Sequence, residues 1–435
     1  MHQSRHAAGM LAAALLLAAW SPAATPQTAP PAQDAAAPAA SSPAASASPS
    51  ANASASASAN APTAAPATIS PQEPAQAAAQ TATDIASGYA ARPEVKAFIA
   101  EMRARHGFNA DELAQVFAQT RKLDLVISLV SPGAVTARKD WNAYRRRFVE
   151  PRRIQAGVKF WKEHKTALER AEHQFGVPAS VIVGIIGAET LFGSNMGNFR
   201  VIDNLATLAF DYPEAPNRDS RMLMFREQLE DFLLWSREAR LPVFSMRGSY
   251  AGAIGIPQFM PSSLRRYAVN YDGQHGVDLR TSPVDAIGSV ANFLYQHGWE
   301  KGRPVYWKVA VDELNLAIAA ELADGKPDPT LTLKEILDKG LRLAEPVNTT
   351  QEEQTKALVV DLPSADAPTL YLVGLQNFYV LMRYNRSFSY ATAVYELGEA
   401  IREELHYPKL KPLPPQKKAV RKPAKKPRRP AGAHP

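Results

Sequence analysis

One carboxylic acid of the chain lies in an apolar setting where a charge is costly. The segment VIVGIIGAETLFGSNMG, residues 181–197, begins apolar around the whole helical wheel and then carries Glu189. Such a run predicts a helix buried on all sides. Burying an unpaired carboxylate is costly, and burial raises its pKa until the group takes up a proton. Glu189 is therefore a candidate general acid. The alternative is a glutamate at a helix end that faces solvent or pairs with an arginine.

A glycine-rich segment follows, RGSYAGAIGIPQFMPSS at residues 247–263. Its glycines predict a bare backbone surface that another group can approach closely. The segment lacks the lysine of a phosphate-binding loop and the GxGxxG pattern, which argues against a nucleotide site. Ser249 and Gln258 would place a hydroxyl and an amide beside this surface, which suits the hydroxyl and acetamido groups of a sugar. Tight structural packing is the alternative.

Two further segments carry candidate ligands. NYDGQHGVDLRTSPVD, with oxygen-bearing Asn270, Asp272 and Asp285, is similar to an EF-hand calcium loop. Amides stand at positions where carboxylates are usual, so only weak calcium binding is expected. RYNRSFSYA, residues 383–391, offers two tyrosines and an asparagine typical of a sugar groove, although core packing explains such tyrosines equally well.

A second catalytic carboxylate is not evident. Asp203 in RVIDNLATLAF directly precedes a helical run, which predicts a helix N-cap. The site is therefore expected to contain a single carboxylic acid.

Both ends of the chain differ from its middle. A basic start, a short apolar run and small residues predict a signal peptide at residues 1–25, with an uncleaved anchor as the alternative. Residues 26–84 are mostly Ala, Pro, Ser, Thr and Gln and predict a disordered linker. Residues 408–435 hold ten Lys/Arg and no acid, and predict a disordered basic tail. We expect a periplasmic protein that is not a lipoprotein, because the chain has no cysteine.

The tail also dominates the charge. The whole chain is +7, so without the tail it is −3, and the high pI says nothing about the active site. The tail could bind anionic cell-wall or membrane polymers, or could act only as a solubilising segment. Export argues against a nucleic-acid partner.

The segment between the two ends, residues 85–407, has the composition of one globular domain. Helical periodicity dominates, and RRIQAGVKFWKEHKTALERAEHQFG predicts one long helix that stops at Gly176. KALVVDL and TLYLVGL are short and β-branched, and they predict a small antiparallel sheet inserted in a helical protein. The expected fold is mainly α (α+β).

The motifs together resemble the lytic murein transglycosylase B family, glycoside hydrolase family 103. The resemblance rests on GVPASVIVGIIGAET, IDNLATLAFDYP, GSYAGAIGIPQFMPSS and DAIGSVANFLYQHGW, in this order, and it returns at NFYVLMRYNRSFSYA. It implies a lysozyme-like helical core with a helical subdomain and an enzyme that cleaves peptidoglycan glycan strands without water. The expected product is a 1,6-anhydromuramyl end. A monomer that requires no cofactor is expected.

The resemblance also implies roles for individual residues. Glu189 would act first as acid and then as base. The expected glycan-binding residues are Ser249, Gln258, Tyr144, Tyr384, Asn385 and Tyr390, and Arg221 matches a peptide-contacting arginine. Asn270, Asp272 and Asp285 correspond to the family's calcium loop. Two alternatives stay open, a lysozyme-like muramidase that uses water and an inactive wall-binding scaffold.

Overall fold

The structure is a computed structural model of the whole chain. It describes residues 88–131, 139–274, 276–346, 348–350 and 352–406. The predicted signal peptide, linker and basic tail lie outside the described residues and stay predictions. Within the described residues, no helix is long and apolar enough to cross a membrane.

Fifteen α-helices form most of the described part of the chain, which confirms the mainly α fold with a minor β part. Seven of them precede or contain Glu189: α1 (Pro93–His106), α2 (Ala110–Gln119), α3 (Asp124–Val130), α4 (Trp141–Phe148), α5 (Pro151–Glu163), α6 (Lys165–Phe175) and α7 (Ala179–Thr190). The others are α8 (Val201–Phe210), α9 (Arg218–Glu238), α10 (Pro261–Tyr267), α11 (Pro283–Gln296), α12 (Glu313–Leu322), α13 (Leu333–Asp338), α14 (Gln376–Tyr384) and α15 (Phe388–His406).

Helix α7 is the centre of the main core. All its residues are buried, as its uniformly apolar sequence predicts. It packs most extensively against α15. The two backbones can approach because a Cβ on Gly184 would lie 2.4 Å from the Val394 carbonyl oxygen, and a Cβ on Gly398 would lie 2.1 Å from that of Ser180. These contacts join the N-terminal half of α7 to the middle of α15, and the antiparallel packing places Tyr390, near the start of α15, beside Glu189 at the end of α7.

Within the described residues, six short strands form two sheets. Strands β1 (Phe199–Arg200) and β2 (Arg247–Gly248) pair antiparallel, and β2 is the start of the glycine-rich segment. The second sheet consists of β3 (Tyr306–Lys308), β4 (Leu331–Thr332), β5 (Lys356–Leu362) and β6 (Leu370–Gly374), in the order β3-β6-β5-β4.

The second sheet confirms the predicted small antiparallel sheet. β5 and β6 are the two β-branched segments, and they pair antiparallel. β3 and β4 were missed because strands of two or three residues carry no alternation to recognise. This subdomain has a small core of its own, which includes Val309, Leu333 and Val373.

Two local predictions are wrong. The predicted long helix is broken into α5 and α6 at His164, whose φ of −117° and ψ of 23° are not helical. The second helix does stop at Gly176, as predicted.

Asp203 is not an N-cap, since α8 is capped by Arg200 without a side-chain hydrogen bond. Asp203 instead pairs with the Arg200 guanidinium at 2.6 Å and accepts a hydrogen bond from the Arg121 backbone N–H at 3.0 Å. These contacts link α8 to the segment after α2.

Candidate active site

Glu189 lies in the last turn of α7, and only 7% of its surface is exposed. The chain leaves the helix abruptly, because Leu191 and Phe192 both have positive φ, at 50° and 57°. Non-glycine residues rarely adopt this conformation, and it costs free energy unless neighbouring packing holds it. Here the Phe192 ring fills the space above Gly187, where a Cβ would lie 2.7 Å from it. The turn therefore ends the helix directly after the carboxylate.

The glycine-rich loop, residues 248–259, faces this turn. The Thr190 hydroxyl donates a hydrogen bond to the Ile256 carbonyl oxygen at 2.7 Å, which ties the end of α7 to the loop. The loop folds on itself through bridges from Ile254 to Gly248 and to Phe259. A Cβ on Gly248 would lie 2.2 Å from the Ala253 carbonyl oxygen, so this fold requires glycine there.

Ser249 and Gln258 both lie in this loop and are buried. The Ser249 hydroxyl accepts a hydrogen bond from the Ala253 backbone N–H at 3.1 Å. The Gln258 side-chain amide donates to the Gly255 and Met196 carbonyl oxygens at 2.9 and 3.2 Å. Gln258 also has a positive φ of 53°, a strained conformation of the kind that clusters at functional sites.

One hydroxyl donates to the carboxyl group of Glu189. The Tyr390 hydroxyl, from α15, donates to Glu189 Oε1 at 2.6 Å. Burial raises the pKa of Glu189 to about 7, while the hydrogen bond from Tyr390 and the charge of Arg153 lower it. Glu189 is thus divided between its protonated and ionised forms near neutral pH, as a group with both acid and base roles requires.

Two more of the predicted tyrosines lie close to Glu189. The Tyr384 ring stacks with that of Tyr390 at 6.5 Å between centroids, and its hydroxyl donates to the Pro257 carbonyl oxygen. Tyr144, on α4, lies within electrostatic reach of Glu189. Burial, and then the charge of Glu189, raise the pKa values of Tyr144 and Tyr384 far above neutrality, so both are neutral hydroxyls.

Two buried polar atoms of the predicted glycan-binding residues are unsatisfied. The hydroxyl of Tyr144 and the side-chain oxygen of Asn385 have no hydrogen-bond partner among the described residues. Buried polar groups are almost always hydrogen-bonded, so such atoms need an explanation. A polar ligand bound next to these two atoms would supply one.

Arg221 is not part of this cluster. It is buried in the first turn of α9, near Tyr212, and it lines a separate groove of about 1060 Å³ between α1, α9 and α10. Its Nε and Nη1 have no hydrogen-bond partner within the described part of the chain. Two buried N–H donors without acceptors are compatible with an anionic ligand, but no described contact links Arg221 to Glu189.

Two of the predicted calcium ligands, Asn270 and Asp272, lie in a loop that contacts the glycine-rich segment, and Asp285 lies in the first turn of α11. The Ile256 backbone N–H donates to the Leu279 carbonyl oxygen at 2.7 Å, and this contact joins the two loops. Asp285 is fully buried. Its Oδ1 accepts from the backbone N–H groups of Tyr271 and Asp272 at 2.6 and 3.0 Å, and its Oδ2 accepts from that of Asp278 at 2.8 Å.

The other two predicted ligands also hold the loop itself. Asn270 Oδ1 accepts from the Gly273 backbone N–H at 2.9 Å. Asp272 accepts from the Gln274 backbone N–H at 2.8 Å and from the Ser282 hydroxyl at 2.6 Å. Across the described residues, no cluster of three or more His, Cys, Asp or Glu side chains could hold a metal ion. These hydrogen bonds hold the described part of the loop in a closed conformation, and calcium binding stays a prediction.

Known proteins are similar to this chain in sequence and in fold. The family model described as "Transglycosylase SLT domain" matches residues 90–399. Membrane-bound lytic murein transglycosylase B of Escherichia coli K12 is 38% identical over 324 residues, which cover 72% of this chain and 84% of the relative. The crystal structure of soluble lytic transglycosylase SltB1 from Pseudomonas aeruginosa is similar with a TM-score of 0.64 and 41% identity, covering 72% of this chain and 99% of that one.

A third relative was solved with a ligand. SltB3 from Pseudomonas aeruginosa, in complex with NAG-anhNAM-pentapeptide, has a TM-score of 0.60 and 27% identity, covering 71% of this chain and 79% of that one. The chain belongs to the transglycosylase SLT domain family. It is an enzyme of the lytic transglycosylase class.

One residue that contacts the Glu189 helix was missed by sequence reasoning. Arg153, in α5, donates from Nη1 to the Gly187 and Ala188 carbonyl oxygens at 3.3 and 3.4 Å. The sequence EPRRIQ around it contains no signal for this contact, because the contact joins two helices.

Proposed function

We propose that this protein cleaves peptidoglycan glycan strands between MurNAc and GlcNAc without consuming water, and that Glu189 acts as both acid and base. The observation that carries this proposal is a buried carboxyl with a pKa of about 7 beside a glycine-rich loop. Support comes from the family membership and from the bound NAG-anhNAM-pentapeptide of SltB3.

In the first half of the reaction, protonated Glu189 donates its proton to the oxygen that links MurNAc C1 to GlcNAc. The C1–O bond breaks, and the GlcNAc residue leaves with a free hydroxyl. Because Tyr390 donates to Oε1, the transferable proton is on Oε2. The acetamido oxygen of the muramyl residue can stabilise the electron-poor C1, as in glycosidases that lack a second carboxylate.

In the second half, Glu189 is an anion and can act as base. It takes the proton from the muramyl C6 hydroxyl, and that oxygen forms the new bond to C1. The product is a 1,6-anhydromuramyl end, and Glu189 regains its proton. No atom of water enters the product.

The remaining predicted residues bind the glycan in this proposal. Tyr144 and Asn385 would direct their unsatisfied atoms toward it, and Tyr384 and Tyr390 would form an aromatic wall of the cleft. Ser249 and Gln258 would fix the loop backbone that the sugar approaches. Arg221, in its separate groove, would contact an anionic group of a stem peptide.

Glu189→Gln tests the assignment of the acid. The amide cannot donate a proton as a general acid, so turnover on purified sacculi should fall by about 10²-fold or more. Binding of short soluble glycans and the circular dichroism spectrum should be retained. Turnover within tenfold of the wild type would refute the single-acid mechanism.

Export and wall attachment complete the proposed function. The predicted signal peptide supports a periplasmic enzyme, and the ten cations of residues 408–435 would bind anionic cell-wall or membrane polymers. Deletion of the tail should weaken retention on anionic wall material at low salt, and the difference should shrink as salt screens the charges. Equal retention at every salt concentration would indicate a solubilising tail only.

A further inference from the structure

Arg153 has no role in the proposed proton transfers, yet it contacts the end of the Glu189 helix. It lies in the first turn of α5, where its backbone N–H donates to Glu150 at 2.7 Å. Its guanidinium donates to the Gly187 and Ala188 carbonyl oxygens and lies 5.2 Å from the centroid of the Phe148 ring. A cation is stabilising at the C-terminal end of a helix, where carbonyl groups lack partners within the helix.

These contacts leave part of the guanidinium unsatisfied. Its Nε is buried and has no hydrogen-bond partner among the residues that the structure describes. Burial lowers the pKa of Arg153, and the charge of Arg152 also lowers it, while the charges of Glu150 and Glu189 raise it. A guanidinium nevertheless stays charged at neutral pH. The end of α7 therefore has a fixed positive charge within electrostatic reach of Glu189.

Four side chains from four helices interact with Glu189, through a hydrogen bond or through its charge. Tyr390 comes from α15, Tyr384 from α14, Tyr144 from α4 and Arg153 from α5. The tyrosines are neutral, because burial raises their pKa values well above the physiological range. Within the described residues, Arg153 is thus the charged group that stabilises an ionised Glu189.

We propose that Arg153 is a positioning residue of the active site, which holds the end of α7 and stabilises the carboxylate that Glu189 becomes after it has donated its proton. This inference rests on the proposed acid and base roles of Glu189. The new anion forms in a buried site, where one hydroxyl donates to it. A nearby positive charge lowers the cost of that anion, more strongly there than in water.

Three substitutions separate charge from packing. Arg153→Met removes the charge but keeps an unbranched side chain, and Arg153→Lys keeps the charge. Arg152→Met is the matched control, because Arg152 precedes Arg153 in the same turn and is exposed. The pH dependence of kcat/KM is measured for each variant on sacculi, together with kcat and KM.

The alkaline limb of kcat/KM should move upward by about one pH unit in Arg153→Met, because Glu189 keeps its proton to higher pH without the cation. In the same variant kcat should fall about tenfold, since one pKa unit corresponds to a tenfold change, while KM changes little. Arg153→Lys should return the limb close to its wild-type position, and Arg152→Met should leave it unchanged.

A merely structural role of Arg153 gives a different result. The inference is overturned if the alkaline limb of kcat/KM in Arg153→Met lies at the same pH as in the wild type. It is also overturned if Arg153→Lys shifts this limb as far as Arg153→Met does. Should Arg153→Met fail to fold, Arg153→Gln takes its place.

A second measurement needs no turnover. Infrared titration of the Glu189 carboxyl, with the Glu189→Gln spectrum subtracted, should show the same upward shift in the charge-removing variant, and an unshifted titration would overturn the inference. An active Glu189→Gln enzyme would instead refute the proposed function, whatever the Arg153 variants do.

Discussion

Glu189 and Asp285 are two buried carboxyl groups with opposite surroundings. Asp285, in the first turn of α11, is fully buried and accepts hydrogen bonds from three backbone N–H groups of the preceding loop, so it holds that loop to the helix. Glu189 is 7% exposed and accepts one side-chain hydrogen bond, from Tyr390. Hydrogen bonds to the ionised form offset the cost of burying a charge. The number of donors therefore separates a structural carboxylate from one that can exchange its proton.

The comparison predicts opposite effects of two similar substitutions on stability. Asp285→Asn keeps one carbonyl oxygen but turns an NH₂ group toward backbone donors, so the free energy of unfolding should fall by about 2–4 kcal/mol. Glu189→Gln removes a buried charge and should raise it by about 1–3 kcal/mol at pH 8. Urea unfolding of both variants measures these changes.

The pH dependence of the second effect follows from the raised pKa of Glu189. A carboxyl whose pKa is about 7 in the folded state and 4.5 in the unfolded state contributes stability that is present below pH 4.5 and is lost as the pH rises to 7. The gain in Glu189→Gln should therefore shrink as the pH falls from 8 to 5 and vanish below about pH 4.5. A gain that is equal at pH 5 and pH 8 would contradict the assignment, as would an Asp285→Asn protein of unchanged stability.

The effects on turnover should be the reverse of the effects on stability. Folded Asp285→Asn should keep turnover within about tenfold of the wild type, because Asp285 supports the glycine-rich loop and is not a reacting group. Glu189→Gln should lose more than that, because it removes the general acid.

The hydrogen bond to Glu189 can be removed without removing the acid. In Tyr390→Phe the ionised form of Glu189 loses its donor, so the pKa of Glu189 should rise and the alkaline limb of kcat/KM should move up by about one pH unit. Tyr395→Phe, on the same helix, is the control and should leave the limb in place. A downward shift in Tyr390→Phe would mean that the hydroxyl stabilises the protonated form instead.

The smallest effect is expected for calcium. Asn270 and Gln274 supply amides in place of carboxylates, and the loop is already closed by its own hydrogen bonds. Calcium should bind no more tightly than about 10⁻⁴ M, and a chelator should leave turnover and melting temperature nearly unchanged. Micromolar affinity in calorimetry would contradict this prediction.

The sequence predicts the parts of this site that depend on local pattern. A uniformly apolar run identifies α7 as a buried helix, and the glutamate at its end stands out for that reason. Closely spaced glycines identify the loop, because few other residues permit such close backbone approach. The β5–β6 hairpin is visible from its β-branched segments.

The parts that depend on contacts between distant segments could not be predicted. The sequence around Asp203 is typical of an N-cap, whereas its hydrogen bond from the Arg121 backbone N–H depends on how α8 meets the segment after α2. The break at His164 lies inside a continuous helical pattern. Arg153 resembles any surface arginine in the sequence, and only the packing of α5 on α7 shows its contact with the Glu189 helix.

The product of the reaction tests the central claim most directly. With one carboxylic acid there is no second group in the described site to activate water, while the muramyl C6 hydroxyl is part of the same sugar as C1. A well-oriented internal nucleophile can have an effective molarity of about 10⁵ M or more, so it should react ahead of water. Mass spectrometry of muropeptides released from sacculi by the purified protein should therefore show species one water lighter than lysozyme products, without a reducing end. A predominance of reducing muramyl ends would show that Glu189 activates water and would contradict this account.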